Sequence, residues 1–541
     1  MIPLTRLKSY CEERRKSLNS MKKVILPVVM SMFMVFTMMP AEAFAVDAVV
    51  KADSNSSASP AKEELQGDAT SDDSSTYGVY AHATDGGTAE AKVTGNVDTV
   101  APGVYADTTS TATNKSTAKV EVGGDVKSKN GVGVNAVSDG SGTTTVNVGG
   151  NVTSENDKGV TATGRGGGTT TVNVGGNVTS EATNPSVRGY GAEINADDGG
   201  KTIIHAGNIN SNKAGMVVAS KGSNSSVEAV VQNVTSTETD GLVIISHGPD
   251  AGGNGNVDVL VNGTVKGKNS GIYISGNKSM DKMDIKVWKI ETDKDGMLFA
   301  YNGDKAEGEV LDTIRQHVHY IVKIDEKSEG VTFSATKGGD AKLDPIETKY
   351  GLGTAKSGET VRYKVTLKPG YKLDGAYDSN GKEITLLQDE NGNYYVDVEV
   401  QDGGGIYLSV ATSKTKHNIS YNLDGGSYNG QIGTITEVYD YGTAIKLLGT
   451  PTREGYRFLY WRGSQYDAGA DYTVEGDHLF TAVWEKISGG SDANDSHVPK
   501  TAAKASPATG DESELALWIS IMAAAVLALV YTFVRRREYN R

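Results

Sequence analysis

The sequence predicts an all-β protein whose larger part is a right-handed parallel β-solenoid, a stack of similar coils. Three observations predict it. The thirteen letters TTTVNVGGNVTSE run from Thr143 to Glu155 and return from Thr169 to Glu181. A theme of glycine followed by apolar residues at alternate positions recurs nine times, at Gly78, Gly103, Gly133, Gly159, Gly191, Gly215, Gly241, Gly271 and Gly296, at intervals of 24 to 32 residues. A Gly-Asn-Val theme ends at Val97, Val126 (with Asp125), Val152, Val178 and Ile209, and persists in altered form at Val234, Val265 and Ile290.

Each unit holds short alternating runs such as Val146-Asn147-Val148, which send one set of side chains inward at the strand period of two. Thr and Val suit strands, and Gly, Asn, Asp and Ser supply the corners between them. One unit cannot bury its own apolar face. Stacking does so: each strand pairs with its equivalent in the next coil, like over like, and a continuous aliphatic core forms. Nine coils at one strand spacing each would extend roughly 40 Å. A β-sandwich of many short strands also suits the composition, and the regular register favours the solenoid.

Taken in order, the chain opens with Lys22 and Lys23 ahead of an apolar run from Val24 to Met39, then Ala43-Phe44-Ala45. Residues 1–45 read as a secretory signal, of helical character, cleaved between Ala45 and Val46. Either Met1 or Met21 could start it. Residues 46–75, rich in Ser, Asp and Ala, read as a disordered linker. The solenoid follows over 76–307. Beyond Gly308 tyrosine becomes frequent and longer strands such as Val361 to Leu367 appear, so 308–413 reads as a β-rich module. In it Asn391-Gly392 before an alternating run marks a hairpin.

From His417 to Lys486 stand Tyr421-Asn422-Leu423-Asp424-Gly425-Gly426, Tyr441-Gly442-Thr443, Pro451-Thr452-Arg453-Glu454-Gly455-Tyr456 with Phe458 and Trp461, and Leu479-Phe480-Thr481-Ala482-Val483-Trp484. This pattern resembles the internalin-type B repeat, also called the Listeria–Bacteroides repeat. The resemblance gives a module over 414–486 and implies a small β-grasp-like fold used as a spacer or contact domain. Tyr460 replaces the glycine usual before the tryptophan. Residues from about Val331 to Ser413, with Pro369-Gly370-Tyr371, look like a more divergent relative.

Residues 487–505 form a polar spacer. In the final segment, 506–541, Ser506-Pro507-Ala508-Thr509-Gly510 precedes twenty uncharged, mostly apolar residues, 515–534, then Arg535, Arg536 and Arg537. The apolar stretch is long enough for a membrane helix, and the arginines would keep its end cytoplasmic. Motif, span and basic tail together resemble the LPxTG-type sorting signal of Gram-positive surface proteins, with Ser506 in place of the usual leucine. The resemblance implies a sortase whose cysteine attacks the carbonyl between Thr509 and Gly510 and passes Thr509 to a peptidoglycan amine. It implies an extracellular, wall-anchored protein whose precursor is held in the membrane.

Composition narrows the chemistry. The 541 residues carry 53 basic and 67 acidic side chains, a net charge of −14. Seven basic and three acidic residues precede Val46 and four of each follow Gly510, which leaves 42 against 60 in residues 46–510. Such an acidic surface offers no patch for counterion release, so no nucleic-acid partner is expected. The single cysteine, Cys11, precedes the cleavage point, leaving no disulfide, thiolate ligand or cysteine nucleophile after it.

Neither a metal nor a cofactor is expected. Gly131 to Ala136 imitates a dinucleotide fingerprint without a following helix. Glu291 to Gly296 imitates half an EF-hand loop, but Asn302 stands where the bidentate glutamate belongs. His317 and His319 could share a strand face without a third ligand. Asp197 and Asp198 could serve glycan cleavage, yet they fall at a glycine-rich corner where Asp suits the turn.

Coil length points to binding residues. Most coils are near 25 residues, and those from Gly159 to Gly191 and from Gly241 to Gly271 are longer by about five, so extra chain must leave the stack as loops. These loops offer Arg188 and Tyr190, and His247 and Asp250. The expected function is a non-enzymatic surface contact protein, adhesin-like, for host, matrix or glycan ligands. The rivals are a polysaccharide-cleaving enzyme using the solenoid groove and a passive spacer.

Overall fold

The computed structural model describes residues 47–247, 253–277, 280–325, 327–338, 341–346, 351–462 and 466–487. They are almost wholly β and form two compact units. One takes the chain to Ile419 with Thr436–Ile445 and Asp471–His478; the other takes Ser420–Ile435, Lys446–Ala470 and the segment from Leu479.

The first unit contains the solenoid. A typical coil supplies an A strand, Val134–Asp139, a B strand, Thr143–Val148, and a C strand, Val152–Ser154. Every row is parallel and nearly in exact register. The duplicated segment stacks on itself letter for letter: Thr143 pairs with Thr169, Val146 with Val172, Val148 with Val174 and Ser154 with Ser180. Alternate side chains point inward, so Val146, Val148, Val152, Val172, Val174 and Val178 are all buried. Removing each such valine from water favours the fold by about 1.5–3 kcal/mol.

Corners need more than apolar burial, because each one turns peptide groups away from the strand ladder. Three sets of side chains meet that need. At the B-to-C corner, Asp125 Oδ1 accepts the Asn151 N–H at 2.6 Å, and Asn151 Oδ1 accepts that of Asn177 at 2.9 Å. Asn177 does the same for Asn208 at 2.9 Å, which explains the Gly-Asn-Val theme as a coil-to-coil ladder. At the C-to-A corner buried serines reach down one coil: Ser154 Oγ donates to the Gly131 carbonyl at 2.8 Å and Ser180 Oγ to that of Asp157 at 2.6 Å. At the A-to-B corner Thr144 and Thr170 donate to the carbonyls of Val137 and Thr163 at 2.6 and 2.7 Å.

The stack begins earlier than the composition suggests. Residues 46–75, expected as a disordered linker, carry strands Ala48–Ser54, Ala61–Leu65 and Ala69–Ser71 and form a further coil. Val50 pairs with Val79 and Ala52 with Ala81. The inward residues Val50, Ala52, Ser54 and Ala69 are small, so this coil is packed without the bulky residues that usually betray a core.

Its far end is not a domain boundary. Strand Met283–Thr292 pairs in parallel with Val318–Ile324, which belongs to the 308–413 module. Between them runs a helix, Gly308–His317, that the sequence reading did not anticipate; it buries Ile314, and Arg315 pairs with Asp402 at 2.6 Å. The module's own antiparallel sheet joins Val331–Lys337, Thr360–Leu367, Tyr394–Glu399 and Leu387–Gln388.

In the second unit Tyr456–Arg462 pairs antiparallel with His478–Lys486, Phe458 facing Trp484. Trp461, Tyr421 and Phe480 are fully buried, with ring centres 5.2 Å apart for Tyr421 and Trp461 and 5.6 Å for Tyr421 and Phe480. Among the described residues no helix is long and apolar enough to cross a membrane, and 515–534 lies outside them.

Candidate functional site

The interior of the solenoid is committed to packing, so ligand chemistry must lie on its outward positions. On the A row these form straight columns. In one, register places Tyr80 beside Tyr105, Tyr105 beside Asn135, Asn135 beside Thr161 and Thr161 beside Glu193. In the next column His82 lies beside Asp107.

The early coils concentrate aromatic groups. Tyr80 and Tyr105 stack with ring centres 5.6 Å apart and 14° between planes, and Tyr77 lies 5.5 Å from Tyr105. The His82 ring stacks on Tyr80 at 6.1 Å, and Lys51 Nζ lies 5.7 Å from the Tyr80 ring centre. His82 Nδ1 is 2.9 Å from both Asp107 oxygens. That bond holds the imidazole's affinity for its proton above the ordinary value, against the effect of burial. Burial, then the Asp107 charge, pushes the Tyr80 and Tyr105 phenols far up, so both stay neutral donors at physiological pH.

Further along, Asn135 Oδ1 and Thr161 Oγ1 are buried without a hydrogen-bond partner. Such atoms cost free energy in a finished fold. Lys158 pairs with Glu193 at 2.5 Å. The third outward column alternates in sign: Arg165 lies 3.4 Å from Asp139 and Lys221 lies 3.8 Å from Asp197. Both register neighbours of Asp197, Arg165 and Lys221, are therefore basic. Asp198 sits at φ 49°, in the turn its glycine-rich surroundings suggested.

The 182–190 loop does leave the stack, and it brings Arg188 and Tyr190 to the edge of the A row beside Glu193. Arg188 is exposed and Tyr190 half-buried. Burial raises the Tyr190 phenol, and the Arg188 cation draws it back. The loop's ends are anchored: Ala182 is fully buried, Ser211 Oγ donates to the Gly189 carbonyl at 2.6 Å, and the Gly159 N–H donates to that of Tyr190 at 3.1 Å. In the other loop the His247 N–H donates to Asn254 Oδ1 at 2.6 Å, and burial lowers the affinity of the His247 imidazole for its proton. Asp250 lies outside the described residues.

The remaining sequence candidates separate. His317 ends the helix with Nδ1 2.8 Å from the Met283 carbonyl, whereas His319 lies on a strand with Nε2 3.7 Å from Asp284. They do not share a strand face. Among the described residues no group of three or more His, Cys, Asp or Glu is placed to hold a metal ion. Gly131 to Ala136 enters an A strand with no helix after it, and the segment near Gly296 is a turn closed by the Gly296 N–H on the Asp293 carbonyl at 2.9 Å. Ala45, Val46 and the pentapeptide Ser506, Pro507, Ala508, Thr509 and Gly510 lie outside the described residues.

The model of the Listeria-Bacteroides repeat domain family matches residues 417–483. The match includes the buried Tyr421, Trp461 and Phe480 and stops short of the solenoid. Trp461 of the motif is a core residue whose Nε1–H donates to the Leu448 carbonyl at 3.1 Å. No curated protein matches the chain.

Proposed function

We propose that this is an exported, wall-anchored surface protein that meets host, matrix or glycan ligands through the outward face of its A row. The observation that supports this is where the tyrosines fall. All six between residues 47 and 307 (Tyr77, Tyr80, Tyr105, Tyr190, Tyr273 and Tyr301) lie on A strands or in the turn entering one. They stand on outward positions rather than in the core, which is filled mainly by valine, isoleucine and alanine, although Tyr80 is largely covered by its neighbours. Tyrosine combines a large apolar ring with a hydroxyl and loses little entropy on contact, which suits it to recognition surfaces. Export and anchoring rest on residues 1–45 and on the motif from Ser506 to Gly510 with the apolar stretch after it.

Residues 46–510 on a glycan and matrix-protein array test the reading. At least one ligand class should bind, and the double substitution Tyr80→Ala and Tyr105→Ala should weaken it at least tenfold. An array without binding, or binding indifferent to both tyrosines and to Arg188, would sink the contact face.

A further inference from the structure

A second outward surface runs along the B-to-C corner, around the coil from the A row. There an open groove of about 550 Å³ follows the solenoid axis past five coils, with Lys92, Glu121, Asn147, Asn173 and His205 along one side. These side chains are consecutive in register: Lys92 with Glu121, Glu121 with Asn147, Asn147 with Asn173, Asn173 with His205. The floor is bare backbone at Gly123, Gly149 and Gly175, all exposed. Glycine is obligatory there, because a Cβ on Gly149 would stand 2.3 Å from the Gly123 carbonyl oxygen and one on Gly175 2.4 Å from that of Gly149. A ligand can thus lie directly on the main chain, beside the edges of Val122, Val148 and Val174.

The middle of this groove is the duplicated segment. Stacking explains why the inward residues of the two copies are alike. It does not require that the outward ones be alike, and at the Asn147 position neighbouring coils carry Glu121 and His205. Yet Asn147 and Asn173 are identical. They are linked, Asn173 Nδ2 donating to Asn147 Oδ1 at 2.8 Å and His205 Nδ1 donating to Asn173 Oδ1 at 2.9 Å. This linkage uses neither Asn147 Nδ2 nor His205 Nε2. The charges at the groove's other end are engaged locally, Lys92 with Glu64 at 2.9 Å and Glu121 with Lys119 at 2.5 Å. No uncommitted cation lines it to attract a polyanion.

Two like subsites one coil apart call for a ligand made of like units. Coils are spaced about 4.8 Å, close to the advance per sugar of an extended β-1,4-linked pyranose chain. We propose that the groove binds a linear, uncharged β-1,4-linked glycan laid along the axis. Its ring C–H faces rest on the glycine floor, and its hydroxyls bond the Asn147, Asn173 and His205 side. The inference depends on the proposed display outside the cell only for access to such a polymer; the groove and the tyrosine face are separate surfaces.

Calorimetric titration of residues 46–510, which hold every described residue, with the β-1,4-linked hexasaccharides of glucose and of N-acetylglucosamine tests it. At least one should bind saturably at millimolar concentration or below. The pair Asn147→Leu and Asn173→Leu should weaken it about thirty-fold, the loss of two hydrogen bonds. These positions tolerate Glu and His in adjacent coils, so an unchanged melting curve is expected and serves as the folding control. Tyr80→Ala with Tyr105→Ala should leave this binding intact. Absence of binding by both sugars, or binding unaffected by the asparagine pair, overturns the groove. Loss with the tyrosine pair alone overturns the groove while leaving the contact face standing.

Discussion

His82 illustrates how one residue's neighbours set its chemistry. The Asp107 carboxylate within hydrogen-bond reach favours the imidazolium, and the bond outweighs the burial that opposes it. A group whose affinity for protons rises on folding adds stability below its unfolded value, about 6.5 for histidine. That contribution disappears as pH climbs through the raised folded value. The wild type should therefore melt above a His82→Gln variant at pH 5.5, and the gap should close in mildly alkaline buffer. An NMR titration should show Asp107→Asn moving the His82 midpoint down; a midpoint that stays put would assign the raised affinity to something else. Trp461 teaches a related lesson. The role of an aromatic in a motif segment is set by its burial, and Trp461 is packed between Tyr421 and Phe458, ring centres 5.2 Å from each. Trp461→Ala should cost about 3–5 kcal/mol of unfolding free energy. Chemical denaturation followed by near-ultraviolet circular dichroism measures it, and a loss below about 1 kcal/mol would contradict the packing.

At the scale of one element, the coil is the repeating physical unit. Its inward residues meet their equivalents above and below, and its corners are closed by Asn, Ser and Thr ladders between or within coils. Length follows from register, because Thr143 sits on Thr169. Deleting residues 143–168 removes one complete coil. It joins Gly142 to Thr169, lets Thr117–Val122 pair with Thr169–Val174, and should give a soluble protein with the same strand-dominated circular dichroism. Deleting only 143–155 removes half a coil, sets unlike strands over one another and should abolish folding. Equal tolerance of both deletions would mean that the coils do not depend on register. The 182–190 loop shows the same logic in reverse. Its tip, residues 183–187, hangs outside the stack, whereas Ala182, Gly189 and Tyr190 are tied into it.

For the whole molecule, the solenoid and the 308–413 module share a sheet through Met283–Thr292 and Val318–Ile324, and the second unit carries its own aromatic core. The proposed location depends on the C-terminal segment. If a sortase joins Thr509 to peptidoglycan, Thr509→Ala should shift the protein from the muramidase-released wall fraction to the membrane fraction. Wall linkage that survives the substitution would sink the anchoring.

The sequence by itself determined the solenoid and the register of its coils, because a periodic core must write its period into the chain. It also located the repeat, read at 414–486 and matched over 417–483, whose tyrosine, glycine and tryptophan spacing is dense enough to recognise. Burial and neighbours were left to the tertiary structure. Small inward residues hid the first coil in a stretch that reads as a linker, and long-range pairing placed a helix and a sheet junction where composition changes. The candidate surfaces divided the same way. Arg188 and Tyr190 were legible because an insertion disturbs the period. Tyr80, Tyr105, His82 and Asp107 were not, since they stand 25 or so residues apart and meet only when one coil lies on the next. The stack turns sequence distance into a strand spacing of about 4.8 Å, and only a folded chain performs that conversion.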